Sequence, residues 1–210
     1  MTVKSESPLL NKIGTVRWQD RWWLLDVETS GLHPQGDEII ALYLACMENF
    51  AVVEERTILI HPQKPLELRV ERLTGISNQD LEQGIPLEDA TRQLKELEGE
   101  NFLILDRNFT LPLLKRACVQ CGTEYQPSCV LLDRLAVLLL RGPEHRRVSL
   151  LIRNLLERLP DPPDDWPNVP SDNRSVKELY RLALALFGKL VVEYDVHDTS
   201  QLVHLFESEG

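Results

Sequence analysis

Trp22-Trp23-Leu24-Leu25-Asp26-Val27-Glu28-Thr29-Ser30-Gly31-Leu32 decides how the rest of this chain is read. An apolar run ends in two carboxylates two residues apart, followed by a hydroxyl and a glycine. A short apolar run bounded by such turn residues reads as a buried strand. Alternate residues of a strand share a face, so Asp26 and Glu28 point the same way. Two carboxylates converging at the end of a buried strand repel each other unless a cation sits between them. A Mg²⁺ or Mn²⁺ ion held in this way suits chemistry on phosphates. The same spacing also occurs where a strand simply runs out into solvent, so the pair takes its meaning from the residues around it.

Those residues describe an ordinary globular chain. Its 210 residues suffice for one α/β domain, or a domain with a small appendage. Hydrophobic residues make up 43% and charged residues 27%. No apolar run approaches the ~20 residues of a membrane span, and the N-terminus lacks the order of charges and apolar residues of a signal peptide. A cytoplasmic protein without membrane association is expected. The net charge of −10, from 33 acidic and 23 basic side chains, argues against a broad salt-driven grip on nucleic acid. Such an acidic chain needs metal ions or a partner subunit to hold a polyanion. Cys118-x-x-Cys121 with Cys129 nearby has some zinc-like spacing, but lacks a fourth local ligand; reduced cysteines are expected.

Along the chain, Trp22 to Val27, Ile39 to Glu48 and Val52 to Ile60 read as three strands, separated by turn residues such as His33-Pro34-Gln35-Gly36. Ser77 is placed to cap a short helix over Asn78 to Gln83, and Pro86 to Leu97 has helical spacing. Asn101 to Leu105 is a fourth strand. Thr110-Leu111-Pro112 looks like a helix start with Thr110 as its cap. An apolar stretch over Val130 to Leu140 contains Asp133. Helices follow over Val148 to Leu159 and from about Arg174 to Phe187, with a proline-rich loop carrying Trp166 between them. A last strand over Leu190 to Tyr194 and a helix over Ser200 to Phe206 complete the reading. A meander of strands followed by alternating strands and helices predicts a mixed sheet flanked by helices, with the first strand central and its C-terminal end at the site.

The order of these features resembles the DnaQ-like, or DEDD-type, 3′-to-5′ exonucleases. The family's first motif, an apolar strand running into D-x-E-T-[TS]-G-L, is matched by Leu24 to Leu32. Ile60-His61-Pro62 followed by Leu73-Thr74-Gly75-Ile76-Ser77 is similar to its next landmark. Phe102 to Leu105, Leu131-Leu132-Asp133 and His145 to Leu159 fall in family order. The resemblance implies a ribonuclease H-like α/β fold over residues 20–188, after a leader over 1–19 and before a C-terminal strand–helix appendage over 189–210 packed on the same domain. It also implies two-metal hydrolysis of phosphodiester bonds at the 3′ end of DNA or RNA, with Mg²⁺ or Mn²⁺ as cofactor. Asp26 and Glu28 would hold metal and act in catalysis. Thr29, Gly31, Leu32 and Phe109 would meet the terminal nucleotide.

The departures fall on the remaining motifs. Leu105-Asp106-Arg107-Asn108-Phe109-Thr110 aligns with the family's second motif, placing Thr110 where a metal-binding Asp is usual. Asn173-Arg174-Ser175-Val176-Lys177-Glu178 aligns with the third, placing Asn173 at the general-base position and Glu178 at the last metal position. Asn has no basic nitrogen to take a proton, and general-base catalysis typically supplies ~10²–10⁴ in rate. Asp106 is a candidate replacement metal ligand, and Asp172 lies beside Asn173. His33 is the least implausible substitute base; His61, His145, His197 and His204 read as structural or flanking. Trp166 reads first as a buried loop aromatic and second as a stacking platform for a base. Two readings therefore stand: an exonuclease of weak or lost activity, or a catalytically silent binding or scaffold module with a protein partner. A phosphoesterase acting on a small nucleotide is a third.

Overall fold

The computed structural model describes residues 18–33, 35–105, 109–123, 128–140, 153, 156–157 and 174–202. A five-stranded sheet is built from β1 (Arg21–Thr29), β2 (Ile39–Glu48), β3 (Ala51–Leu59), β4 (Asn101–Ile104) and β5 (Ser128–Leu131), in the order β3-β2-β1-β4-β5. β1 pairs antiparallel with β2 and parallel with β4, so the sheet is mixed and β1 is central, as the sequence predicts. The α/β expectation is met, with helices on both faces.

β1 is buried on both sides, which explains why its sequence is continuously apolar rather than alternating. Trp23, Leu25 and Val27 pack with α3 (Leu87–Lys95) and α4 (Thr110–Gln120). Trp22 and Leu24 pack on the other face with α5 (Leu132–Leu139) and α6 (Arg174–Tyr194). Two short helices, α1 (Leu68–Thr74) and α2 (Asn78–Leu81), link β3 to α3. Gly75 ends α1 in the left-handed region at φ 74°, where a side chain would be strained. Ser77 caps α2 as expected, in a reciprocal box with Asp80.

The β2–β3 hairpin turns on Asn49 and Phe50, both at positive φ. That is the two-residue turn whose twist suits a hairpin, although a bulky residue rarely adopts it. Phe50 is held there by core packing and by the buried Tyr180 hydroxyl, which donates to its carbonyl at 3.1 Å.

Three local expectations change. The strand expected over Leu190 to Tyr194 is instead the last part of α6. Leu182, Leu186 and Leu190 recur every four residues and are buried, so helical burial overrides the strand preference of Val191-Val192. α6 thus runs across the expected 188/189 boundary, and Val196 and Leu202 join the same core. Thr110 does not cap α4. It lies inside the first turn and is buried, with Phe109 at the cap position and no side-chain cap bond. The stretch from Val130 to Leu140 divides into the end of β5 and all of α5. Of the helix expected over Val148 to Leu159, Arg153, Leu156 and Glu157 are described and helical. The proline-rich loop with Trp166 lies outside the described residues.

Phe187 fastens α6 to the central strand. It meets the Trp18 ring edge-on at 4.6 Å between centroids and the Trp22 ring at 5.1 Å. Phe187→Ala is expected to lower unfolding free energy by about 3–5 kcal/mol in urea titration. A loss under about 1 kcal/mol would contradict this packing role.

Candidate active site

Asp26 and Glu28 continue the register of Trp22 and Leu24, so both project from β1 toward the layer that holds α5 and α6. Their cross-strand neighbours on β2 are Tyr43 and Ala41. Both carboxylates are half-buried. Burial, reinforced by the nearby Asp26 charge, pushes the Glu28 carboxyl up from its ordinary 4.5 to about 7. At neutral pH the pair therefore resists carrying two negative charges, the condition that a bound cation relieves. The donor set fits a hard divalent ion with oxygen ligands.

The other expected site residues spread around this pair. Thr29 is buried and its hydroxyl donates to the Gly31 carbonyl, tightening the exit from β1. Leu32 stands 78% exposed in the following loop. Phe109 is partly buried against the core on the α3/α4 face. Thr110, at the second-motif position, is 4% exposed, so a neutral hydroxyl occupies a place where a carboxylate would be costly without a metal. Glu178 is half-buried near the start of α6, in the layer that Asp26 and Glu28 face. Among the described residues, however, no three His, Cys, Asp or Glu side chains come together to hold a metal ion. The structure brings Asp26 and Glu28 together and does not add Glu178 as a third member. Asp106, Asp172 and Asn173 lie outside the described residues, as do His145 and His204.

Other expectations resolve simply. His61 Nδ1 lies 3.0 Å from the Leu81 carbonyl oxygen, a structural contact. His197 pairs with Asp195 at 3.0 Å on the surface. His33 is exposed, with its backbone N–H donating to Asp37. The four cysteines are free thiols, and burial raises Cys118 and Cys129. No helix among the described residues is long and apolar enough to cross a membrane. Asp37 and Arg116, which shape the loop after β1, were not singled out by the sequence. The only local signal was the turn that ends in Gly36-Asp37.

A sequence model described as exonuclease matches residues 24–164, more than half of the chain. The chain is similar to the 3′-5′ exonuclease DinG of Bacillus subtilis, at 33% identity over 117 residues, covering 55% of this chain and 12% of that protein. It is also similar to a PolC-type DNA polymerase III of Mycoplasmopsis pulmonis, at 25% identity over 149 residues, covering 68% of this chain and 10% of the polymerase. The chain thus spans only about a tenth of these curated relatives. Among solved structures, the nuclease domain of 3′hExo, a DEDDh family member bound to rAMP, matches with TM-score 0.61 and 14% identity, over 85% of this chain and 94% of that one. Product-bound exonuclease I matches with TM-score 0.57 and 16% identity, over 84% of this chain and 44% of that one. At these identities the structural matches show the fold alone: a ribonuclease H-like sheet with flanking helices.

The raised Glu28 carboxyl makes a signed prediction. Glu28 holds its proton more tightly in the fold than in the unfolded chain. The stability tied to that proton is full below about 4.5 and is lost as pH rises through about 7. Glu28→Gln removes the charge. In metal-free buffer it should melt close to the wild type at pH 5 and about 3–6 °C above it at pH 8, after allowance for solvent screening. Equal melting temperatures at pH 8 would contradict the burial of this charge.

Proposed function

This chain belongs to the exonuclease family, and from that premise we propose that it is a metal-dependent 3′-to-5′ exonuclease of reduced activity. The observation that carries the reading is the Asp26–Glu28 pair. The two carboxylates share one face of the central strand, and burial and mutual repulsion hold Glu28 near neutrality. Asp26 and Glu28 would hold Mg²⁺ or Mn²⁺, with Asp106 as the candidate to extend the cage. Such an ion supplies Lewis acidity and a water of lowered pKa. Thr29 and Gly31 would face the terminal nucleotide, while Leu32 and Phe109 offer it apolar surface. The substrate is the 3′ end of DNA or RNA, in line with the nucleic acids and rAMP bound by the structural neighbours.

Two residues support the reduced rate. Thr110 contributes no charge at the second-motif position, and Asn173 cannot accept the proton of an attacking water. The expected rate lies ~10²–10⁴ below that of a site with a histidine base. The buried, neutral Thr110 also favours the second reading, a silent module that binds nucleic acid or a protein without cleaving.

The deciding assay incubates 5′-labelled single-stranded DNA and RNA with the protein and Mn²⁺, beside Asp26→Ala and beside Thr110→Asp combined with Asn173→His. Slow shortening from the 3′ end is expected in the wild type, lost in Asp26→Ala and raised about a hundredfold in the double substitution. Equal, negligible degradation by the wild type and Asp26→Ala would overturn the enzyme reading; binding that persists without cleavage would establish the silent module.

A further inference from the structure

The loop that follows the carboxylate pair is held from behind by a helix on the opposite face of the sheet. Its base is closed by two hydrogen bonds: Ser30 N–H to the Glu38 carbonyl and Glu38 N–H to Ser30 Oγ, both at 2.9 Å. Within it, the His33 N–H donates to the Asp37 carboxylate at 2.6 Å, while the Gly36 and Asp37 N–H groups donate to the His33 carbonyl at 2.9 Å. The Asp37 carboxylate also lies over Gly31. A methyl group there would fall 2.6 Å from Asp37 Cγ, so the glycine is what lets the acid close down on the loop.

Arg116 completes the arrangement. It stands on α4, whose Leu113, Leu114, Ala117 and Cys118 are buried against the α3/α4 face of the sheet, and its Nη2–H donates to the Asp37 carbonyl. Behind the loop lies an open cleft of about 830 Å³, lined in part by Asp37, Glu38, Arg116 and Ile60. With a cleft behind it, the loop takes its shape chiefly from hydrogen bonds. Leu32, in the same loop, stands exposed.

We infer that Arg116 and Asp37 are positioning residues that fix the described residues of this loop, 30–33 and 35–38, in advance, so that Leu32 is presented to the incoming terminal nucleotide. The inference rests on the proposed 3′-end-binding site. Neither residue touches the reacting atoms. Their effect is to remove the ordering cost from binding, and each backbone residue ordered beforehand is worth about tenfold in affinity.

Three substitutions in the full chain test this: Arg116→Ala, Asp37→Ala and Asp37→Asn, the last retaining an acceptor for the His33 N–H. Hydrogen exchange at the Ser30, Gly36, Asp37 and Glu38 amides should quicken at least tenfold in Arg116→Ala and Asp37→Ala, with Leu24 in β1 unchanged. With 5′-labelled single-stranded DNA and Mn²⁺, KM should rise about tenfold while kcat stays within twofold, and Asp37→Asn should return KM to within threefold of the wild type. If the wild type binds without turnover, Kd for the same strand replaces KM. Asp37→Ala removes a side chain at the loop surface and keeps the test open should Arg116→Ala fail to fold. Unchanged exchange with unchanged KM or Kd, or a fall in kcat at constant KM, would overturn the inference while leaving the proposed site intact. A wild type that neither cleaves nor binds would overturn the proposed site and the inference with it.

Discussion

Everything at this site depends on one electrostatic constraint: two carboxylates on the same face of a strand buried on both sides. β1 cannot turn either of them away without turning a tryptophan or leucine out of the core, because its alternation is fixed by Trp22 and Leu24 on one face and Trp23 and Leu25 on the other. The fold therefore supplies the energy that keeps Asp26 and Glu28 together. The half-buried Glu28 carboxyl, pushed up to about 7, records the resulting strain in its protonation.

Around that strand the layers have separate tasks. α3 and α4 cover the face away from the carboxylates and, through Arg116, reach the loop after β1. α5 and α6 cover the carboxylate face, and α6 is fastened by Phe187 against Trp18 and Trp22 and by the Tyr180 hydroxyl on the hairpin tip. The helix that brings Glu178 into the same layer is thus anchored a few residues further along. Among the described residues the acid pair nevertheless stays a pair, and the chemistry assigned to it scales with what two carboxylates can hold.

Much of this was legible in the sequence because it is encoded locally. A continuous apolar run ending in turn residues marks β1, the Ser77–Asp80 box marks α2, and the order of motifs marks the fold. Legibility failed where burial outweighs local preference. Val191-Val192 look like strand residues, but the four-residue recurrence of Leu182, Leu186 and Leu190 keeps the chain helical. Thr110 has the chemistry of a cap, but its burial places it one residue inside the helix. The brace between Arg116 and Asp37 spans 79 residues and joins an ordinary helical arginine to a backbone carbonyl, so no local pattern announces it. The paired carboxylates could be read from two positions; the support for the loop beside them required the tertiary structure.

In the proposed cation site, a metal ion held by Asp26 and Glu28 displaces the proton that Glu28 carries. Calorimetric titration with Mn²⁺ at pH 7, repeated in buffers of different ionisation enthalpy, measures that displacement directly. With the Glu28 carboxyl near 7, about half a proton should leave per ion bound, and Glu28→Gln should release none. Mn²⁺ binding with no proton release, or no binding at all, would contradict the claim.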